Sequence, residues 1–461
     1  MSLAPSLLCA LRAIFPGDAL TVSPEETLIF GVDASRGHAR PAAPAAVVRP
    51  ESTEQVAELL RLADAERVPI HPRGRGTNRV GGCVPEPHGI VVSTARMNRI
   101  VEISGEDFVA VVQPGVVTGD LEAACRERGL FYAPDPASLR FSSIGGNLAQ
   151  NAGGMRAVKY GTTRDWALGL TVVLPGGQIL HTGSRCHKDV AGLDLTRLFV
   201  GSEGTLGFIT EATLKLLPLP EAQASLLAVF AAEEDALRAG ANVFVAGIVP
   251  VAMEFMPAEA LTALESLGPV PWPTGSKAAL LLRLDGFAET LAAGLVHLRQ
   301  AVEPLAPTFF KTARTQAEEE ALWEPRRQIS QALFHFGPDK LSDDIAVPRG
   351  RIGEAVARIR RIGQDFGLTT AVFGHLGDGN LHINVIHDAS DAAAAERARK
   401  AKDAVLALAV SLGGTISGEH GVGLSKLSWL EAMRGAPAVA AMRRIKSALD
   451  PNNIMNPGKA Y

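Results

Sequence analysis

Short apolar runs alternate with amphipathic stretches along the first half of the chain. AAVVRP (45–50), IVVST (90–94), VAVVQPG (109–115) and LTVVLPGG (170–177) are rich in β-branched residues and end in glycine, proline or small polar residues, a pattern that predicts strands. Between them, STEQVAELLRLADAERV places Val56, Leu59, Leu60 and Ala63 on one helical stripe, and Ser52 followed by Gln55 predicts a capping box at its start. SLLCALRAIF near the N-terminus is too short to span a bilayer, lacks a basic leader and is interrupted by Arg12, so it predicts a short amphipathic helix rather than a signal peptide. At KLLPLPEAQA (215–224) two prolines follow the strand FITEATLKLL, which predicts a boundary near residue 218. Beyond it, Ala-rich helical segments alternate with strands such as AALLLRLDG, and a long helix over 391–412 stops at Gly413-Gly414. Interleaved strands and helices of this kind predict an α/β or α+β fold, divided at 1–218, 219–412 and 413–461.

Length and composition narrow the function classes. A chain of 461 residues is long for one domain, and 47% hydrophobic with 20% charged residues is an ordinary globular balance. Aromatics at 5%, with three tyrosines, give little material for stacking bases, and a net charge of −4 argues against a nucleic-acid partner. The four cysteines, Cys9, Cys83, Cys125 and Cys186, lie far apart without a C-x-x-C, which fits a reducing, cytoplasmic setting and excludes a self-contained zinc ribbon or iron–sulfur cluster. Attachment to the membrane periphery through a partner stays open.

Three glycine-rich stretches carry candidate chemistry. HPRGRGTNRVGG (71–82) gathers four glycines around arginines, the composition of a backbone cradle for an anion such as phosphate, although a plain turn between strands has the same composition. It matches neither the dinucleotide fingerprint nor the P-loop. SSIGGNLAQNAGG (142–154) combines small residues with amides, as needed where backbone approaches a flat hydrogen-bonding ring system, and GSEGTLGFIT (201–210) closes the same region. Together they predict an extended ligand lying across this domain.

In this order, PRGRGTN, SSIGGNLAQNAGG, YGTTRDWALGL and FVGSEGTLGFIT closely resemble the FAD-binding domain of the vanillyl-alcohol-oxidase type flavoproteins, over about the first 215 residues. The resemblance implies an α+β fold, with a two-subdomain FAD-binding domain to which the C-terminal segment returns and an α+β substrate (cap) domain on an antiparallel sheet. It puts Gly74, Arg75, Gly76, Thr77 and Asn78 near the pyrophosphate, with Pro72, Arg73 and Gly81 of the same loop also binding the cofactor. Ser142, Ser143, Gly145, Gly146, Asn147, Asn151 and Gly153 would follow along the cofactor, with Gly204, Ile209 and Asn456 contacting it further on. Relatives with covalent flavin carry a histidine in the first loop; GRGTN offers none, so FAD is expected to be non-covalent.

HLGDGNLHIN (375–384) raises a separate question. If AVFGHL and LHINVI are strands joined by Gly377 to Asn380, then Leu376 faces Leu381 and His375 faces His382, close enough to converge on one metal ion. Asn384 lies on the same face by period 2, with Leu381, Ile383 and Val385 turned to the core. Two half-exposed histidines on an ordinary hairpin have the same pattern. SGEHGVG (417–423) supplies a further carboxylate and imidazole, which spacing alone does not bring near residue 375.

HLGDGNLH, SGEHGVG and a terminal NPGK closely resemble the C-terminal half of the FAD-dependent D-2-hydroxy acid dehydrogenases, the group that includes D-lactate, glycolate and D-2-hydroxyglutarate dehydrogenases. The resemblance implies that His375, His382 and Glu419 hold a divalent metal, zinc before manganese or iron, that His420 is the catalytic base, and that Asn384 touches substrate. LWEPRRQIS resembles the family's arginine stretch, which implies Arg326 on the substrate carboxylate and Ser330 beside it. One departure is Ser342, at the position that holds a substrate-binding lysine in hydroxyglutarate-type members, with Lys340 two residues earlier. This tilts the expected substrate toward D-lactate or glycolate.

With no cluster or haem motif in the chain, electrons are expected to pass to an external acceptor: a quinone, a cytochrome, an electron-transfer flavoprotein or a partner subunit. A homodimer stays open. A zinc hydrolase would use the same histidines but leaves the glycine loops unexplained, and a flavin subunit of a larger glycolate-oxidising assembly accounts for the same motifs.

Overall fold

The β-branched runs of the first half become strands in two sheets of a computed structural model, which describes residues 3–35 and 43–461. Ala46–Val48, Ile90–Ser93 and Ile70–Arg73 run parallel as neighbours, and Leu20–Thr21 adds an antiparallel edge. Thr53–Glu66 is the crossover helix, and its stripe of Val56, Leu59, Leu60 and Ala63 is fully buried in one cluster with Ile70, Ile90 and Val92. Each such Leu or Val contributes roughly 1.5–3 kcal/mol of burial. Ser52 caps the helix by accepting from Gln55 N–H at 3.3 Å, but the Gln55 side chain accepts from Glu51 rather than from Ser52, so the expected box is only half reciprocal. The second sheet is antiparallel, in the order Ile100–Ser104, Val109–Val112, Phe208–Lys215, Ala167–Val173, Ile179–Gly183.

Two compact units result. One comprises Met1–Gly153, Thr162–Leu219 and Glu419–Tyr461; the other comprises Gly154–Gly161 and Pro220–Gly418. The second unit is built on a seven-stranded antiparallel sheet in the order Phe309–Ala313, Ala222–Phe230, Ala278–Gly286, Ala252–Pro257, Thr369–His375, Asn380–His387, Asp339–Ala346. One face packs Leu227, Val229, Met256, Ala279 and Phe373 against Leu322, Trp323 and Ile329 of the helix Gln316–Ala332. Leu381, Ile383 and Val385 are buried on the opposite face, as their alternation predicts. The long Ala-rich helix spans Ala392–Ser411, with Asp391 as its cap. The fold is α+β, and among the described residues no helix is long and apolar enough to cross a membrane.

Candidate active site

In the first unit the glycine loops meet one another. A Cβ on Gly74 would sit 2.5 Å from Ser143 Oγ, one on Gly145 would collide with Pro114, and one on Gly204 would press on the Pro72 ring at 3.0 Å. Gly76, Gly81 and Gly204 have φ of +72°, +79° and +71°, a region that side chains with a Cβ avoid. Ser143 caps the helix Ile144–Gln150 by accepting from Gly146 N–H. Asn78 Oδ1 accepts from the backbone N–H of Val80 and Gly82 at 2.9 and 2.7 Å, while its Nδ2 is buried with no hydrogen-bond partner among the described residues. Gln150 Oε1, at the end of the next loop's helix, is likewise buried and has no hydrogen-bond partner among the described residues. Bare backbone at close approach with buried polar atoms awaiting partners suits a large hydrogen-bonding ligand such as FAD.

Other predicted cofactor residues are engaged with the protein. Asn147 Nδ2 donates to Thr118 Oγ1 at 2.7 Å, and Ser142 Oγ lies 3.1 Å from the same hydroxyl. Asn151, at φ +51°, ends the helix and accepts from Thr162 Oγ1 and Arg164 N–H through its side chain. Arg73 donates to the carbonyls of Phe30 and Val32, and Arg75 is exposed. Thr77 is half-buried within the first loop, Gly153 is buried, and Ile209 is half-buried on the strand Phe208–Lys215. Asn456 binds the loops together: its Nδ2 donates to the carbonyls of Gly82 and Glu203 at 2.8 Å each, and its Oδ1 lies 3.1 Å from His71 Nδ1.

The same unit fixes the segment that carries Glu419 and His420. Buried Glu203 accepts from Val422 and Gly423 N–H at 2.7 and 2.8 Å. A Cβ on Gly421, whose φ is +89°, would press on both Gln150 and Glu203. Burial pushes the Glu203 pKa up, against the pull of those two N–H groups and of Lys426 and Lys459. Glu419 and His420 are half-buried neighbours, with His420 Nε2 3.6 Å from Glu419 Oε1.

In the second unit the two hairpin histidines come together by a register other than the expected one. His375 pairs with Asn380, and His382 pairs with Phe373, so the histidines are diagonal rather than opposite neighbours. The turn closes on the His375 carbonyl, which accepts from Asp378 and Gly379 N–H at 3.3 and 3.1 Å. Leu376 leaves the ladder because its N–H bonds Met253 and its side chain packs over Gly240. A slip of two residues keeps every side chain on its face, so the histidines still converge: their Nε2 atoms lie 3.3 Å apart.

That face continues across neighbouring strands. Glu254 is opposite His375, and its carboxylate accepts from His375 Nδ1 at 2.7 Å and from Arg326 Nε at 2.8 Å. Burial pushes the Glu254 pKa up, but the charges and hydrogen bonds of Arg326 and His375 outweigh it and hold the group below the ordinary carboxylate range. Arg326 is itself buried, stacks over Phe373 with 5.0 Å to the ring centroid, and pairs its Nη2 with the same Glu254 oxygen that Nε bonds. Asn384, 2% exposed, accepts from Ser342 Oγ at 2.7 Å. Lys340 shares this face and bonds the Ser330 carbonyl and hydroxyl, the latter at 2.8 Å. Asp344, opposite His382 in register, accepts from Gly418 N–H at 2.7 Å, and chain continuity makes Glu419 the next residue.

A family model described as FAD linked oxidases, C-terminal domain, matches residues 219–460, and one described as FAD binding domain matches residues 44–183. The chain belongs to the FAD-linked oxidase family. Curated relatives include the glycolate oxidase subunit GlcD of Bacillus subtilis, 41% identical over 94% of this chain and 92% of its own. The D-lactate dehydrogenase of Anaerostipes hadrus is 36% identical over 91% and 90%, and the D-2-hydroxyglutarate dehydrogenase of Stutzerimonas stutzeri is 35% identical over 99% of both. Among solved structures, p-cresol methylhydroxylase with substrate bound superposes at a TM-score of 0.82 over 99% of this chain and 96% of that one, at 18% identity, and shares the fold.

This FAD-linked oxidase is therefore a flavin-linked oxidoreductase with an FAD-binding domain and a C-terminal domain on an antiparallel sheet. Sequence reasoning missed Glu254 in the second unit and Gln150 and Glu203 in the first. Glu254 was detectable: VAMEFMP is a buried apolar strand with one acid in it, and a buried charge requires a partner.

Proposed function

We propose that this flavoenzyme oxidises a D-2-hydroxy acid, D-lactate or glycolate first, to the 2-oxo acid with help from a divalent metal. The observation that carries the reading is the 3.3 Å separation of His375 and His382 Nε2 beside a carboxylate that also holds Arg326. Two imidazole ligands on a tetrahedral zinc, with Zn–N of about 2.0–2.1 Å, stand roughly 3.3–3.4 Å apart. The donor set therefore fits zinc, and Glu419, next to the anchored Gly418, is the proposed third ligand. When bound, the flavin supplies the acceptor for the C2 hydride and the metal a Lewis acid for the hydroxyl oxygen.

Arg326 binds the substrate carboxylate through the outer side of its guanidinium, at Nη1, because Nε and Nη2 both face Glu254. Asn384 Oδ1 is committed to Ser342, which turns the amide group of the side chain to a substrate oxygen. His420 takes the hydroxyl proton, and Ser330 lines the far side with Lys340. Electrons leave for an external acceptor of the quinone, cytochrome, electron-transfer flavoprotein or partner-subunit class. The relatives named glycolate oxidase subunit and D-lactate dehydrogenase support this substrate class.

A second reading, D-2-hydroxyglutarate, has Lys340 in its favour, a cation on the same sheet face as Ser342 and Asn384. Its ammonium is engaged by Ser330, which keeps the monocarboxylate first. Anaerobic titration with D- and L-2-hydroxy acids, followed by flavin bleaching, tests both. Bleaching by D-lactate or glycolate is expected; bleaching by none of the panel would sink the proposal.

A further inference from the structure

We infer that Glu254 is a positioning residue that couples the metal half of the proposed site to its substrate-carboxylate half; this rests on the metal reading above. Glu254 is fully buried on the central strand Ala252–Pro257, between Met253 and Phe255, and one carboxylate spans two functional groups. Oε1 accepts from His375 Nδ1 at 2.7 Å and Oε2 accepts from Arg326 Nε at 2.8 Å.

The chemistry of the acceptor fixes the chemistry of the histidine. An ionised carboxylate accepts and never donates, so the ring proton of His375 must sit on Nδ1, leaving Nε2 as the unprotonated nitrogen. That nitrogen faces His382 Nε2 at 3.3 Å, where a shared ion would sit. Carboxylate partners of metal-binding histidines act in this way, fixing tautomer and ring orientation, and their loss costs about 10–100-fold in metal affinity. The unusual element here is the second arm. Because the other oxygen holds the guanidinium edge, Glu254 also determines which nitrogens Arg326 presents to an incoming carboxylate, and a shift in one half is transmitted to the other through a rigid planar group.

Glu254→Gln separates this role from space filling. Glutamine has one acceptor oxygen, and the always-charged Arg326 Nε–H claims it. The amide NH2 then faces His375 Nδ1, which must accept, and the ring proton moves to Nε2, against the metal. In the FAD-loaded enzyme, zinc affinity measured by competition with a chromophoric chelator is expected to fall about 10–100-fold, with flavin content unchanged. In Glu254→Gln/Arg326→Met the amide is free to turn its oxygen to Nδ1, and zinc affinity is expected to recover most of that loss. A single variant that binds zinc within twofold of the native enzyme overturns the role of Glu254. If the single variant does not fold, 15N shifts of His375 in the metal-free native enzyme decide: the Nδ1–H tautomer is expected, and the Nε2–H tautomer overturns the inference. A native enzyme that binds no zinc overturns the metal reading itself, and that arm is read on unmutated protein.

Discussion

Arg326 and Glu254 form a buried pair, with Nε of the arginine 2.8 Å from the carboxylate and side-chain exposures of 8% and 0%. Truncating the arginine would strand a buried charge, at a cost of about 3–5 kcal/mol. Arg326→Lys keeps the cation and loses the planar fork. Each charge-assisted hydrogen bond is worth about 1.5–3 kcal/mol, so kcat/KM is expected to fall roughly 10- to 100-fold, mostly through KM. Steady-state kinetics with D-lactate or glycolate check this, and an unchanged KM would remove Arg326 from carboxylate binding.

Glu203 has the corresponding role in the first unit, where its carboxylate accepts from Val422 and Gly423 N–H. Glu203→Gln keeps the shape, but an amide accepts through one oxygen and must point its NH2 at the other backbone donor. The cost of an unsatisfied buried group is about 1–3 kcal/mol. Faster amide hydrogen exchange at residues 421–423 is expected, together with slower flavin reduction, since this segment carries Glu419 and His420. Exchange indistinguishable from native would show that the loop holds its shape without Glu203.

The contrast between these two acids and the histidine pair shows where sequence is legible. His375, His382 and Asn384 share a face because period 2 survives a two-residue slip, so the face was readable although the register was not. The register depended on Leu376 finding room over Gly240, a contact between elements far apart in sequence. The glycine loops were readable because a missing Cβ is a local property, and Gly74 and Gly204 do press on neighbouring loops. Glu203 was visible inside GSEGTLG, but its acceptor role needs the positions of Val422 and Gly423, which only folding supplies.

His71 predicts an acid limb in stability. Burial, with the nearby charge of Lys459, pushes its pKa from the ordinary 6.5 down to about 3, and the neutral ring is held between Glu86 N–H and Asn456. Between those values the unfolded chain binds a proton that the native state does not, so stability falls as pH drops from about 6.5 toward 3, by up to ~1.4 kcal/mol per pH unit. Urea midpoints from pH 7 to pH 4 check the slope. His71→Gln is expected to lower the pH 7 midpoint yet flatten the curve below it, and an equal slope in both proteins would assign the limb to other groups.

Removing the proposed metal should separate activity from flavin binding. The three glycine loops belong to one unit and His375 and His382 to the other, so exhaustive chelation is expected to abolish most activity while the protein stays yellow. Glu419→Gln should do the same, with activity partly restored at high zinc. Full activity in a preparation free of metal by elemental analysis would eliminate the metal from the reaction.

His420 should matter to one step only. It sits half-buried beside Glu419, on a segment that Glu203 fixes through the backbone N–H of residues 422 and 423, and replacing its side chain leaves those two hydrogen bonds in place. General-base assistance is typically worth about 10² to 10⁴ in rate. His420→Ala is therefore expected to keep native FAD content and substrate affinity and to slow anaerobic flavin reduction by that factor. Stopped-flow reduction by saturating D-lactate or glycolate measures it directly, without dependence on the identity of the electron acceptor. A reduction rate equal to native would assign the proton to another group, and a variant that loses flavin would instead give His420 a structural part in the loop.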